Sequence, residues 1–222
     1  MSGSVFNRLV LKDLYLVRWM IAGALVAGVG AVALMPVNRV ATYVGGVSLV
    51  CVLIVLNIFL VMTTVAQERK DKVLVFILSL PISTRQYLVA KITANLIAFV
   101  VPWLVLSLLT IAVIDRTPLP NGVLPFWVTL LGYLLAYNCV LLAIAVATDS
   151  TGWQATGITA GNISVNFFIP FMLSRPSIAA HAEAAAAVWT PEVFIVLAVE
   201  TAIAIVALSA AIAYRARDPD LV

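Results

Sequence analysis

The sequence predicts an all-α, polytopic membrane protein, because its composition is extreme and its apolar residues fall in long stretches. Of the 222 residues, 64% are hydrophobic and 10% are charged, whereas an average soluble domain is roughly 45–50% apolar and about 25% charged. The mean hydropathy is +1.13. A soluble fold of this size could not cover so many apolar side chains with polar surface, so lipid is the main solvent of the chain.

Six apolar stretches between the charged residues are long enough to cross a bilayer, which takes about 20 residues. Proline, asparagine and glycine residues within 118–125 mark a turn before the fourth stretch. The expected membrane-spanning helices cover about 19–35, 42–66, 87–114, 126–147, 155–173 and 192–213.

Lysine and arginine residues orient the predicted bundle, because short cytoplasmic loops carry an excess of them. If both termini are cytoplasmic, only Arg39, Arg116 and Arg175 of the 13 basic residues are on the outer side. We therefore predict a single transmembrane domain over 1–222 with both termini inside.

A short amphipathic segment, 5–18, precedes the first span. On a helix its apolar side chains fall on one side and Arg8, Lys12 and Arg18 on the other, with Asp13 as the one misplaced charge. Such an elbow helix would lie in the headgroup plane with its basic face toward anionic lipid. The alternative is a solvated basic segment that leads into the first span.

The longest inner loop, 67–86, combines a charged cluster, an apolar segment and a proline turn. Five charged residues at 68–72 are followed by the apolar residues 73–80. Pro81 disfavours helix at the residue before it, and a capping-box pattern at Ser83 begins the next helix. An apolar segment that faces the cytoplasm needs lipid or another protein to cover it.

Two strings of the sequence resemble the corresponding segments of type-2 ABC transporter permeases. The first is Leu9-Val10-Leu11-Lys12-Asp13-Leu14, before the first span. The second runs from Glu68-Arg69-Lys70 through Leu78-Ser79-Leu80-Pro81-Ile82-Ser83 to Lys91. The resemblance extends to the six-span layout and to most of the chain.

The resemblance implies that the loop from Glu68 to Ser83 forms a coupling helix that docks on a separate ATPase subunit. No GxxxxGK[ST] phosphate loop occurs in the sequence, so ATP and Mg are expected on two copies of that ATPase. Six spans are half of a twelve-span core, which implies a second permease copy or a homologous permease in a bacterial cytoplasmic (inner) membrane. The residues expected at the ATPase contact are Glu68, Arg69, Lys70, Leu78, Ser79, Leu80, Pro81 and Ser83.

Several asparagines lie within the predicted spans. In the relatives the second and fifth spans line the path between two permease copies, which makes Asn57, Asn162 and Asn166 candidates for the translocation path. The alternative is that they form hydrogen bonds that hold the bundle together. Asn95 and Asn138 are interpreted as packing residues only.

Glu200 is the one charged residue clearly within a predicted span. It could bind a cationic substrate or a proton in the translocation path, or it could be a helix-packing carboxyl group that faces protein rather than lipid. In the fifth span, Gly157 and Gly161 form a GxxxG pair that permits close approach between helices.

The segment 174–191 is neither a span nor a simple turn. Its Ala-rich part, 178–188, favours helix, and Trp189 is a residue type typical of membrane interfaces. Relatives place short re-entrant or surface helices before the sixth span, so the resemblance implies such a cap over the outer end of the path.

The few cysteines and the single histidine exclude several kinds of site. Cys51, Cys139 and His181 are too few for a zinc site or a disulfide framework, and we interpret both cysteines as small buried hydrophobic residues. Serine, histidine and acidic residues form no plausible catalytic triad. We therefore expect neither a metal site nor enzyme activity in this chain.

The leading hypothesis is the permease subunit of an ATP-driven exporter that moves an amphiphilic substrate, such as a peptide, a lipid or a drug. The short outer loops leave no room for a receptor domain, which favours export over import. Two alternatives stay open, namely an ion- or proton-coupled secondary transporter that uses Glu200 and a non-transporting membrane scaffold.

Overall fold

The structure is a computed structural model that describes residues 2–66, 84–148 and 150–215, and within these ranges it is helical without strands. A π-helical turn, Met62–Ala66, extends the second helix, and a 3-10 turn, Asn121–Val123, leads into the fourth. The α-helices are α1 (Ser2–Leu34), α2 (Arg39–Val61), α3 (Thr84–Arg116), α4 (Leu124–Ala147), α5 (Thr151–Leu173), α6 (Pro176–Ala179) and α7 (Pro191–Arg215).

All of these helices except the short α6 are long and apolar enough to cross a membrane, so the six predicted spans are confirmed. The ends of α4 at Ala147 and of α5 at Leu173 are the predicted ones. Helix α4 begins two residues earlier than expected, at Leu124, because Pro125 occupies its first turn. A proline is well tolerated there, since the amide hydrogen that it lacks would have no partner within the helix.

The elbow predicted over 5–18 is not shown as a separate element, because α1 runs without a break from Ser2 to Leu34. No glycine or proline occurs between residues 4 and 22 to separate the elbow from the span. At 1.5 Å per residue the helix is about 50 Å long, against a hydrocarbon core of about 30 Å. The first turns of α1 therefore extend beyond the core, and their tilt relative to the membrane surface stays a prediction.

The other five long helices pack in two groups around α4. Helices α1, α2 and α3 contact one another on one side, whereas α5 and α7 pack on α4 on the other. Helix α4 contributes to both large clusters of buried hydrophobic residues and also contacts α2 and α3. Only 17% and 11% of the residues in the most apolar stretches of α5 and α7 are buried, so most residues of these two helices are at least partly open to lipid or to another protein.

The segment 174–190 folds back over the start of α4. The Gly122 amide donates a hydrogen bond of 2.9 Å to the carbonyl oxygen of Ala184, and a Cβ atom on Gly122 would overlap the carbonyl of His181. The helix that the Ala-rich residues 178–188 favour ends already at Ala179. Helix propensity alone seldom stabilises so short a segment, and here the contact with the start of α4 directs the backbone instead.

The two cysteines differ in their surroundings. Cys139 on α4 is buried, as predicted, whereas Cys51 on α2 is exposed, so the predicted burial is wrong for Cys51. Cys51 lines an apolar groove of about 430 Å³ between α1 and α2. An apolar stretch of sequence does not distinguish burial in protein from exposure to lipid, since both surroundings are apolar.

Candidate functional site

The predicted ATPase contact lies outside the described residues, which end at Ala66 and resume at Thr84. The structure instead describes the helices on either side of that segment. Helix α2 and its π-helical turn lead into it, and α3 begins directly after it. The contact residues that fall in this interval are Glu68, Arg69, Lys70, Leu78, Ser79, Leu80, Pro81 and Ser83.

A buried ion pair joins α1 to the first turns of α3. Lys91 Nζ lies 2.7 Å from Asp13 Oδ2, and the two residues are only 3% and 2% exposed. Lys12 Nζ lies 3.2 Å from the other carboxylate oxygen of Asp13. Removing one partner of a buried ion pair is strongly destabilising, so the pair helps to hold α1 against α3.

This pair explains the one misplaced charge of the amphipathic pattern. Asp13 lies on the apolar face of α1 because that face packs on α3, where Val10 contacts Ala90 and Ala94. Sequence reasoning did not identify Asp13 as a functional candidate. The available signal was an acidic residue on an apolar helix face together with a lysine in a later apolar helix.

The basic residues of α1 lie on its opposite, exposed face. Arg8, Lys12 and Arg18 are all exposed, and the guanidinium of Arg18 lies 3.6 Å from the centre of the Tyr15 ring. The ring of Trp19 is also near it, at 5.4 Å. This basic face is therefore open to lipid headgroups or to a partner.

Two polar pairs lie deeper between the helices. Asn95 Nδ2 of α3 donates to Thr64 Oγ1 at 3.0 Å, and Asn138 Nδ2 of α4 donates to Asn57 Oδ1 of α2 at 2.9 Å. All four residues are at most 1% exposed. Within this chain Asn57 therefore forms an interhelical hydrogen bond, and Asn95 and Asn138 have the packing contacts that the sequence suggested.

The asparagines of α5 are placed differently. Asn162 Nδ2 donates to the carbonyl of Ile158 at 2.9 Å, and Asn166 Nδ2 donates to the carbonyl of Asn162 at 2.8 Å, both within the helix. Asn162 is half-buried and Asn166 is exposed. Their side chains are thus compatible with contact to a second molecule, and a role in the path stays a prediction.

Helix α5 packs on α4 through Gly157 and Gly161. A Cβ atom on Gly161 would overlap the ring of Tyr137, and one on Gly157 would lie 2.9 Å from Ile144 Cδ1. The hydroxyl of Tyr133 forms a hydrogen bond with Ser164 Oγ across the same interface. Both glycines therefore face α4 at positions where a larger side chain would separate the two helices.

Glu200 lies where α7 packs on α4 and is 7% exposed. A Cβ atom on Gly132 of α4 would lie 2.5 Å from Glu200 Oε2 and 3.2 Å from Leu197 Cδ2. Within the described part of the chain, neither carboxyl oxygen has a hydrogen-bond partner. The carboxyl group therefore faces the protein rather than lipid.

A family model described as "ABC-2 family transporter protein" matches residues 8–216. The chain belongs to the ABC-2 transporter family. The match covers the six membrane-crossing helices from the early turns of α1 to the end of α7, and it confirms the resemblance seen in the sequence. No curated protein and no solved structure matches the chain.

Membership of the family makes the chain a multi-pass transporter permease, a membrane subunit that is not itself catalytic. It also implies association with an ABC ATPase. In this ABC-2 permease, the buried ion pair between Asp13 and Lys91 joins the N-terminal helix to α3, the helix that follows the interval 67–83.

Proposed function

We propose that this chain is the membrane subunit of an ATP-driven exporter in a bacterial cytoplasmic membrane, with both termini in the cytoplasm. The observation that carries the proposal is the family match over residues 8–216, which includes all six spans of a chain without a phosphate-binding loop. Two copies of a separate ATPase would bind ATP and Mg. A second copy of this chain, or a homologous permease, would complete the twelve-span core.

The surface of α5 supports a partner within the membrane. Thr159 and Asn166 are exposed on a helix of which little is buried, and polar side chains are costly to leave in hydrocarbon. A second permease copy that faces α5 would give these groups polar neighbours or enclose them in a hydrated path. Asn162 and Asn166 are then the candidate path-lining residues of this helix.

Coupling would begin at the interval 67–83, where the ATPase is expected to dock. Closure of the ATPases around ATP would displace this segment and the start of α3 with it. Because Lys91 holds Asp13, the displacement would also move α1. Helices α1 and α3 would then tilt together, and the path would switch from inward-facing to outward-facing, as in other rigid-body transitions.

The apolar groove between α1 and α2 favours an amphiphilic substrate. The groove of about 430 Å³ between α1 and α2 is lined almost entirely by apolar residues, among them Met20, Val55 and Phe59. A peptide, a lipid or a drug with apolar parts fits this chemistry, and the short connections between helices at the outer end favour export.

The proposal is tested by co-expression with candidate ABC ATPases from the same genome, followed by purification in mild detergent and reconstitution in liposomes. We expect the ATPase to co-purify and ATP to drive substrate movement. Leu80→Asp, in the predicted contact, is expected to abolish co-purification. The matched control is Val37→Asp, since Val37 is 66% exposed at the other end of the bundle. An ATPase that binds both variants equally, or no ATP-driven transport, would contradict the proposal.

A proton-coupled secondary transporter is the second candidate, because a carboxyl group is enclosed within the membrane at Glu200. Its distinguishing result is transport that a proton gradient drives in liposomes without any ATPase. Loss of this transport in Glu200→Gln, with transport kept in Glu192→Gln, would favour the secondary transporter over the exporter.

A further inference from the structure

A carboxyl group is enclosed between α4 and α7 near the middle of the membrane. Glu200 is the tenth residue of α7, which begins at Pro191. At 1.5 Å per residue it lies about 14 Å along the helix, close to the centre of a hydrocarbon core about 30 Å thick. The residue is 7% exposed, and its two oxygens have no hydrogen-bond partner among the residues that the structure describes.

The site has a specific shape, because Gly132 leaves the space that the carboxyl group fills. Any side chain at position 132 would bring a Cβ atom within 2.5 Å of Glu200 Oε2. Leu197 of α7 covers the same glycine from one helical turn away, with Cδ2 at 3.2 Å from that Cβ position. The group is thus held between a glycine and an aliphatic side chain, where water has little access.

The ionisable groups around this site offer no cation. Helix α4 carries Tyr133, Tyr137 and Cys139; the Tyr133 hydroxyl bonds to Ser164 and the Tyr137 hydroxyl to the carbonyl of Ile158. Helix α5 has no ionisable side chain, and the charged residues of α7 other than Glu200 lie at its two ends. Those of α3, which also touches α7, are Arg85, Lys91, Asp115 and Arg116, near the ends of that helix, and the short α6, which packs near the start of α7, has none.

An ionised carboxylate is therefore poorly matched to this site, because it would have neither a counter-ion nor water. A neutral carboxylic acid is tolerated far better. We propose that Glu200 is a proton-binding site: its carboxyl group carries a proton while α7 is seated on Gly132, and loss of that proton releases α7 from α4. This inference concerns α7 alone and is independent of the ATPase.

Helix α7 is suited to such a change because it packs almost entirely on α4 and is otherwise peripheral. The seated state encloses the acid, whereas a released α7 would expose the carboxylate to water or to headgroups. Raising the pH therefore favours release, and lowering the pH favours the seated state. In the acidic range the carboxyl group is fully protonated and the seated state is favoured. This stabilisation of the seated state is lost as the pH rises.

The protonation state is tested by infrared difference spectroscopy on the full-length protein in lipid nanodiscs. The wild-type spectrum minus that of Glu200→Gln at neutral pH should contain the carbonyl stretch of a protonated carboxyl group, and this band should shift in D₂O. Glu192→Gln is the matched control, since Glu192 is exposed at the start of α7, and its difference spectrum should contain carboxylate bands. Carboxylate bands alone for Glu200 would overturn the proposal.

The link between the proton and the seating of α7 is tested by thermal unfolding from mildly acidic to alkaline pH. We expect the midpoint of the wild type and of Glu192→Gln to fall as the pH rises. Glu200→Gln, which mimics the protonated acid in shape and charge, should fold normally and lose this fall. Equal pH dependence in the wild type and in Glu200→Gln would overturn the proposal, even if the infrared band is present.

Discussion

Lys91 of α3 donates a hydrogen bond of 2.7 Å to Asp13 of α1, and this buried contact links residues that are 78 positions apart. Replacing Asp13 with Asn leaves the Lys91 ammonium buried without its carboxylate. We expect a loss of about 3–5 kcal/mol in the free energy of unfolding, because removing one partner of a buried ion pair is strongly destabilising. Denaturant unfolding in micelles measures the loss, and Arg8→Ala, on the exposed face, is the control with little effect.

A double variant separates the structural role of this pair from a role in coupling. Asp13→Leu combined with Lys91→Met replaces both charges by apolar groups, which is often neutral or stabilising for a buried pair. We expect this variant to regain the stability of the wild type. If it does, and the ratio of substrate moved to ATP hydrolysed falls, then the charge pair itself transmits motion from α3 to α1. An unchanged ratio would limit the pair to stability.

Gly161 is expected to limit the size of the side chain at the point where α5 contacts α4. In Gly161→Ala the new methyl group would overlap the Tyr137 ring, so we expect a loss of about 1–3 kcal/mol from forced repacking. Gly30→Ala in α1 is the matched control, because a Cβ atom there meets nothing within 4 Å. This control should be neutral or stabilising by up to about 1 kcal/mol, as expected for alanine in a helix. Equal stability of the two variants would contradict the packing role of Gly161.

The bond between Asn57 and Asn138 distinguishes helix packing from path lining. Asn138→Leu leaves the buried amide of Asn57 without its 2.9 Å donor, and we expect a cost of about 1–3 kcal/mol. Adding Asn57→Leu should recover most of this cost, because both polar groups are then removed. If the double variant is stable and transports normally, Asn57 has a packing role only. A stable double variant with an altered substrate range would place Asn57 at the path instead.

For Asn166 we expect the opposite of a packing role, namely an effect on transport with little effect on stability. Its side chain is exposed and its amide bonds only within α5, so Asn166→Leu should change the free energy of unfolding by less than about 0.5 kcal/mol. If α5 lines the path, the same substitution should lower the rate of ATP-driven transport in liposomes. Ile163→Leu, at a neighbouring exposed position, is the control that keeps the rate. Normal transport by Asn166→Leu would remove this residue from the path.

The sequence by itself determined that lipid is the main solvent of this protein, where its six spans lie and which family it belongs to. Spans are readable because a hydrocarbon core demands about 20 apolar residues in a row, and because the turn before α4 is marked by prolines that cannot continue a helix. The family was readable because the strings that begin at Leu9 and at Glu68 are contiguous in sequence.

Only the tertiary structure decided which polar groups meet. Asp13 faces α3, Asn57 accepts a hydrogen bond from Asn138, and Glu200 lies against Gly132. Such pairs depend on which helices are neighbours, and a chain that is apolar on every helix face carries little periodic signal of those neighbours. For the same reason the apolar surroundings of Cys51 in the sequence did not reveal that it faces out of the bundle. Helix propensity over 178–188 was likewise overridden by a contact with Gly122, which is distant in sequence.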